Sequence, residues 1–357
     1  MAKPDICIIT TRNIFNSPCL EKYEKLLTKG FDILYWDRCS IDESCGAENY
    51  YCYKKDLAAA PSKFKKVTTY LGFVKYLYSF MAKSDYKKLI VFPTQTAWLL
   101  LPFLTKKYKG RYLLDIRDYA GEYSSLQAKL SKRVVECSEV TTLTSPAYAS
   151  FLPKRDYPIS HNVQEISPDL VAAYRSRERK PDEPVVLSFI GSVRFIDMQQ
   201  KLIELFKNDS RFVLKFIGRG SEDLADYVKE NGVNNVELVG RFERSELPGF
   251  YTGTDMAINV YGNNNPYLDF ALSNKLYSAA IMGMPLLVSP DTYMAEMTEK
   301  YGFGIAVDVN DKNTADKVYT YYNSLDKETL LAGCDEFMQT VYEDERRYKE
   351  AIEAFMG

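Results

Sequence analysis

Apolar and polar positions change period repeatedly along this chain. Short apolar runs suited to buried strands alternate with stretches in which apolar residues return every three or four positions, the mark of a helix with one buried face. In the first half, residues 5–10, 31–36, 88–92, 112–116 and 140–144 read as strands. Between them, residues 17–29, 65–81, 94–108, 125–137 and a short 146–151 segment read as helices. The alternation restarts with strands at 185–190, 212–217, 236–239 and 256–260 and helices at 197–206, 221–231 and 245–252. A last helix, amphipathic and acidic at its middle, spans about 327–355. Strands alternating with helices of this length make βαβ units and a parallel sheet wound on both faces.

The two series are separated by a charged, proline-flanked tract at 175–184. A chain of 357 residues is long for one core, so this tract reads as the crossing between two domains. The expected organisation is α/β, with two Rossmann-like, doubly wound domains facing across a cleft: an N-terminal domain at 1–163, a linker at 164–184 and a second domain at 185–334. A ligand cleft is then expected at the carboxyl ends of the strands.

One stretch carries more chemistry than the rest. Residues 273–289 run from a polar start through an apolar helix to a Gly-x-Pro break and a buried strand. Gly283 supplies a left-handed helix end and Pro285 stops the helix. At its front, Ser273 or Asn274 is an N-cap, which places free backbone N–H groups and Lys275 at the positive end of the helix dipole. Such an end suits a phosphate or diphosphate. An ordinary capped α/β helix would read the same way.

Composition removes several classes. An apolar fraction of 46% with 26% charged residues describes a soluble globular protein, and a net charge of −2 argues against a general nucleic-acid binder. No apolar run approaches the roughly 20 residues that span a bilayer, and the N-terminus lacks a signal-peptide layout, so the chain is expected in the cytoplasm. Its seven cysteines include no Cys-x-x-Cys pair, and Cys39, Cys45 and Cys52 have no histidine near them, so no metal site is expected. The single histidine, His161, makes triad chemistry a poor fit.

Four further signals fall where strands of the second half hand over to loops. Gly191 and Arg194 follow the strand at 185–190, and Gly218 and Arg219 follow the next. Gly240, Arg241 and Phe242 follow the third, and a polar loop at 259–265 comes with the end of the fourth. Singly, each glycine is a tight turn. Gly218 and Gly220 do not begin a dinucleotide fingerprint, because position 223 is aspartate.

Taken with 273–289, in this order and spacing, these signals resemble the donor-binding half of GT-B glycosyltransferases of the family-4 type. The resemblance covers residues 185–310. It extends more loosely to 113–118, 142–148 and 161–162, which are similar to the acceptor domain of capsular and surface-polysaccharide transferases. It implies a second domain that binds a sugar nucleotide, with Gly191 and Arg194 toward the diphosphate, Arg241 and Phe242 toward the base, and Gly218 and Arg219 also among the nucleotide- or phosphate-binding residues. Lys275 and the helix start at Asn274 would hold phosphate, with Tyr277 and Ser278 near the ribose and donor sugar. A departing nucleoside diphosphate gains negative charge, which cations and a helix N-terminus stabilise without a metal or any cofactor beyond the co-substrate. The last residues, 335–357, would return to the first domain.

The chain departs from that family at two points. The family's Glu-x7-Glu pair is missing, with Phe270 at the first place, Asp269 just before it, and Ser278 at the second. The usual lysine after the first loop is also missing, and Gln199 and Gln200 occupy that region ahead of Lys201.

On the acceptor side, Asp115, Asp118 and Glu122 cluster after a strand. Asp118 or Glu122 could serve an inverting enzyme as general base, or orient the acceptor in a retaining one; equally, the cluster reads as solvent-facing loop acids or as a pairing with Arg117. His161 reads either as a catalytic residue or as a hydrogen-bonded histidine before the linker. Asn13 and Asn16 are further acceptor candidates. Residues 63–88 hold seven lysines against one acid, Asp85, with aromatics at helical spacing. That fits either a core helix with solvated lysines or a helix resting on an anionic membrane, where a lipid-linked acceptor would be met.

The expected function is transfer of a sugar from a nucleotide-diphosphate donor to a glycan or lipid-linked acceptor in surface-polysaccharide synthesis, retaining by resemblance, in the cytoplasm or at the inner face of its membrane. A non-catalytic glycan or nucleotide binder and a sugar-nucleotide 2-epimerase are the rivals.

Overall fold

The structure, a computed structural model, describes residues 4–56, 62–121, 124–178 and 183–357, the side chains of Lys63 and Arg244 excepted. It forms two compact units. The first comprises Met1–His161 with Asp344–Gly357, and the second Asn162–Glu343.

Apolar runs with no polar alternation are what a strand covered on both faces requires, and such strands build the centre of each unit. The strands of the first unit are β1 (Ile6–Thr10), β2 (Asp32–Asp37), the edge strand β3 (Tyr50–Lys54), β4 (Lys88–Phe92), β5 (Tyr112–Ile116) and β6 (Val140–Leu143). They lie in the order β3-β2-β1-β4-β5-β6, all parallel. The second unit has β7 (Val185–Ile190), β8 (Phe212–Ile217), β9 (Val236–Val239), β10 (Met256–Asn259), β11 (Leu286–Val288) and β12 (Gly304–Ala306). Read from β9, its order is β9-β8-β7-β10-β11-β12, also parallel throughout. Both units are therefore doubly wound α/β sheets with one winding scheme. Each reverses direction beside its first strand, between β1 and β4 and between β7 and β10, where the loops part and leave a crevice.

Three helix expectations change in detail. The helix expected at 94–108 breaks into Thr94–Leu99 and Leu101–Leu104, where Pro102 cannot donate to the ladder. The one expected at 17–29 shrinks to Leu20–Leu26. Within the stretch read as a linker, Pro168–Arg175 forms a helix whose Tyr174 is buried in the core of the second unit. The charged residues around it hide its short apolar face.

The helix Lys327–Met356 ends among the residues of the first unit. There Tyr348, Ile352 and Phe355 are buried with Ile8, Tyr23 and Phe31. Among the described residues, no helix is long and apolar enough to cross a membrane.

Candidate functional site

The chemistry of the second unit gathers at its switch point. The chain leaves β7 at Gly191, whose φ of 127° lies in a region L side chains rarely adopt. Its N–H donates to the Ile217 carbonyl at 2.8 Å, which ties the loop to the end of β8. Gly218, with φ of 130°, presses its α-carbon against the Gly191 carbonyl, and a Cβ there would collide with that backbone. The two glycine loops thus nest, and the role of Gly218 is to let them. We expect Gly218→Ala to destabilise the second unit by about 1–3 kcal/mol, which scanning calorimetry would measure.

Beyond β10 lies Tyr261, and beyond that the helix Asn274–Met282. Ser273 caps this helix by accepting the Lys275 N–H at 3.1 Å, and its hydroxyl donates to Asn259 Oδ1 at 2.8 Å. That pair fixes the helix start against the end of β10. Ser289 Oγ accepts the N–H groups of Tyr261 and Gly262 at 3.0 and 2.9 Å, which sets the loop. Gln199, fully buried, donates through Nε2 to the Val260 carbonyl at 2.8 Å and to the Arg194 carbonyl at 3.3 Å. It therefore staples the loop after β7 to the loop after β10.

Lys275 sits inside this frame, half-buried. Its Nζ donates to Tyr261 Oη at 2.7 Å and lies 3.9 Å from the ring centre of Phe189. A Cβ on Gly191 would stand 4.0 Å from that ammonium. Burial, with repulsion from Arg194 behind it, pulls the Lys275 pKa down to about 7. Arg194 is exposed. Neither cation forms an ion pair among the described residues. Two unpaired cations beside a glycine turn and a capped helix start are arranged for an anion. Asn274 is exposed at that start, and Arg219 and Arg241 are exposed after β8 and β9 at the same carboxyl edge. Phe242 is half-buried, edge-on to Phe250 at 5.2 Å.

Two sequence expectations fail here. Tyr277 is fully buried and stacks on Phe337 at 6.1 Å, so it packs the core and offers no surface to a ligand. Ser278 is also buried. Asp269 is half-buried, with Oδ1 enclosed and without a hydrogen bond, and burial raises its pKa above the usual carboxylate range. Phe189, Gln199, Tyr261 and Ser289 are the residues that sequence reasoning missed. Tyr261 could have been found from its place directly after β10.

The first-unit candidates are mostly structural. Asp115 is fully buried and accepts from Tyr23 Oη, Arg117 Nη1 and Thr142 Oγ1 at 3.0, 3.1 and 3.0 Å. Those donors close the carboxylate off, so the expected acceptor role does not fit it. Asn13 is buried, donating to Asp37 Oδ1 at 3.0 Å and to Glu43 while accepting the Arg38 N–H. It too is satisfied, as the hub of the loops after β1 and β2. His161 is buried with Nε2 3.1 Å from Asp344 Oδ2, and its carbonyl accepts from Lys22. That histidine therefore ties the end of the first segment to the returning helix. Asp118 is exposed and paired with Arg12 at 2.8 Å, and Asn16 is exposed in a short 3-10 turn. Glu122 lies outside the described residues.

No family model matches the chain, and no curated protein matches it in sequence. Solved structures do match over nearly the whole length. Sucrose-phosphate synthase from Thermosynechococcus elongatus is 16% identical, with 99% of this chain and 95% of that one covered and a TM-score of 0.63. HepE of Anabaena, in complex with UDP and glucose, is 10% identical over 99% and 98%, with a TM-score of 0.60. A structure described as a UDP-N-acetylglucosamine 2-epimerase from Listeria monocytogenes is 10% identical over 94% and 91%, with a TM-score of 0.53. The chain has the fold of these two-domain, GT-B-type proteins. At such identities the likeness is one of fold, which a transferase and an epimerase share.

Proposed function

We propose that the protein is a glycosyltransferase that moves a sugar from a nucleoside-diphosphate donor to a glycan or lipid-linked acceptor in cell-surface polysaccharide synthesis. One observation carries this reading: Lys275, drawn against Gly191 and Tyr261 at the switch point, has a cationic neighbour and, among the described residues, no acid paired with it. The HepE complex with UDP and glucose, on the same fold, supports a nucleotide sugar as the donor.

In this reading the second unit holds the donor and the first the acceptor. The diphosphate lies across Gly191, Arg194 and the helix start at Asn274. Lys275 donates to a phosphate oxygen as the bond from the sugar to the leaving oxygen lengthens, and Arg194 balances the charge that grows there. Arg219 and Arg241 extend the cationic edge, and Phe242 faces the base. Neutralisation by side chains and helix dipole makes the reaction metal-independent. Transfer proceeds with retention of configuration. Asp118 and Asn16, the exposed candidates of the first unit, orient the acceptor hydroxyl.

A second reading is a nucleotide-binding protein without turnover. It is favoured by Ser278, a buried hydroxyl at the place of a family glutamate. The test separating the two is incubation of the wild type with a panel of UDP, GDP, CDP and ADP sugars, with released nucleoside diphosphate followed by phosphorus NMR. We expect one donor class to release its diphosphate, insensitive to EDTA, with loss of release in Lys275→Met. Saturable binding of a nucleotide sugar with no release, even with membrane-extracted glycolipids, would favour the second reading.

A further inference from the structure

Helix Lys63–Lys83 has two apolar faces, and the described residues cover only one. Phe73, Leu77 and Met81 are fully buried, and Tyr70 and Phe73 each lie 4.9 Å from Trp36. The core accounts for that face. Phe64, Val67 and Leu71, three and four positions apart and so on one side of the helix, stand in solvent at 79%, 57% and 64% exposure. Next to them Val67, Leu71 and Val74, with Tyr70, Leu99 and the stem of Lys66, line an open apolar groove of about 380 Å³. Single exposed hydrophobic residues are ordinary, whereas a contiguous ridge beside an apolar groove marks a contact surface.

Charge says what covers it. Lys65, Lys66, Lys75 and Lys83 are exposed and join no ion pair among the described residues, and no acid occurs between Lys63 and Lys83. An apolar ridge fringed by lysines, without acids, complements a surface that is oily within and anionic at its boundary. Lysine stems are long enough to keep their ammonium groups at the phosphates while the ridge sinks below them. We propose that this helix seats the protein on an anionic lipid bilayer, with Phe64, Val67 and Leu71 in the acyl boundary and the lysines on the headgroups. The surface belongs to the first unit and does not depend on the donor site.

The test is co-sedimentation of the full chain with vesicles of phosphatidylcholine alone, or with roughly a third phosphatidylglycerol. Three forms are compared: wild type, Lys65→Glu with Lys66→Glu, and Phe64→Ser with Val67→Ser and Leu71→Ser. Wild type is expected to sediment with the anionic vesicles, and less so as salt rises. The charge-reversed form should partition on the order of tenfold less, and the serine form should stay in solution. Tryptophan fluorescence, which reads Trp36 beneath this helix, checks that each variant is folded; should the serine form unfold, the charge-reversed form decides. No binding of wild type to anionic vesicles at low salt would overturn the proposal. So would binding that the substitutions leave unchanged, or lipid-independent self-association that the serine form abolishes, which would make a second copy the occupant.

Discussion

Replacing Lys275 by methionine is expected to do two opposite things: weaken nucleoside-diphosphate binding and stabilise the empty protein. The affinity loss follows from removing a charged donor from a phosphate in a half-buried site, a contact worth about 1.5–3 kcal/mol, or roughly 10–100-fold in Kd. The gain in stability follows from burial. Unfolded, the lysine titrates near its ordinary value of 10.5; folded, burial and Arg194 bring it to about 7. Below about pH 7 both states are charged, and the folded state carries the full cost of enclosing an ammonium. Between 7 and 10.5 the unfolded chain holds the proton that the folded one has lost, so wild-type stability rises with pH across that window. Methionine fills similar space without a charge. The variant should therefore melt higher than wild type below about pH 7 and lose that advantage toward pH 10.5. Scanning calorimetry at a series of pH values from neutral to alkaline would measure the slope of stability against pH in wild type and variant. A bound diphosphate should restore the proton, so affinity should fall as pH rises above about 7.

Asp115→Ala should produce the largest loss of stability, and it should be confined to the first unit. Burial works against the charge on Arg117, but Asp115 beside it more than compensates and holds its pKa above the ordinary guanidinium value. Without the carboxylate, Arg117 loses its buried counter-ion, and Tyr23 and Thr142 lose their acceptor. Breaking such a pair costs about 3–5 kcal/mol. The chain's two tryptophans, Trp36 and Trp98, both lie in the first unit, so fluorescence during urea unfolding reports that unit alone. We expect its midpoint to fall sharply in Asp115→Ala and by much less in Tyr23→Phe, with nucleotide binding retained at sub-denaturing conditions. Retained stability with lost acceptor use would instead return Asp115 to the acceptor site.

Much of this architecture was legible because fully buried parallel strands write themselves as apolar runs. The strands at 112–116 and 212–217 have their observed bounds in the pattern alone. What escaped was structure whose stability comes from neighbours. β3 is an edge strand of Tyr50–Lys54 with no clean alternation, and β12 has only three residues. Neither has a local signal to separate it from loop. At the site, backbone signals carried well: Gly191, Ser273 and Lys275 stand where turn and cap chemistry put them. Side-chain roles carried poorly, because they depend on which way a residue points. Tyr277 lies in the first turn of the capped helix and faces the core. Asp115 follows the strand pattern into the interior, where Tyr23, Arg117 and Thr142 take both its oxygens. Gln199, read only as the lack of a lysine, holds two loops together.

The most direct test of the central claim is calorimetric titration of the wild type and Lys275→Met with UDP, GDP, CDP and ADP at neutral pH. One of these nucleotides should bind the wild type at a single site, with proton uptake in buffers of differing ionisation enthalpy, and the variant should lose both signals. If no nucleoside diphosphate binds, or if the variant binds as wild type does, the crevice at Lys275 is not a donor site.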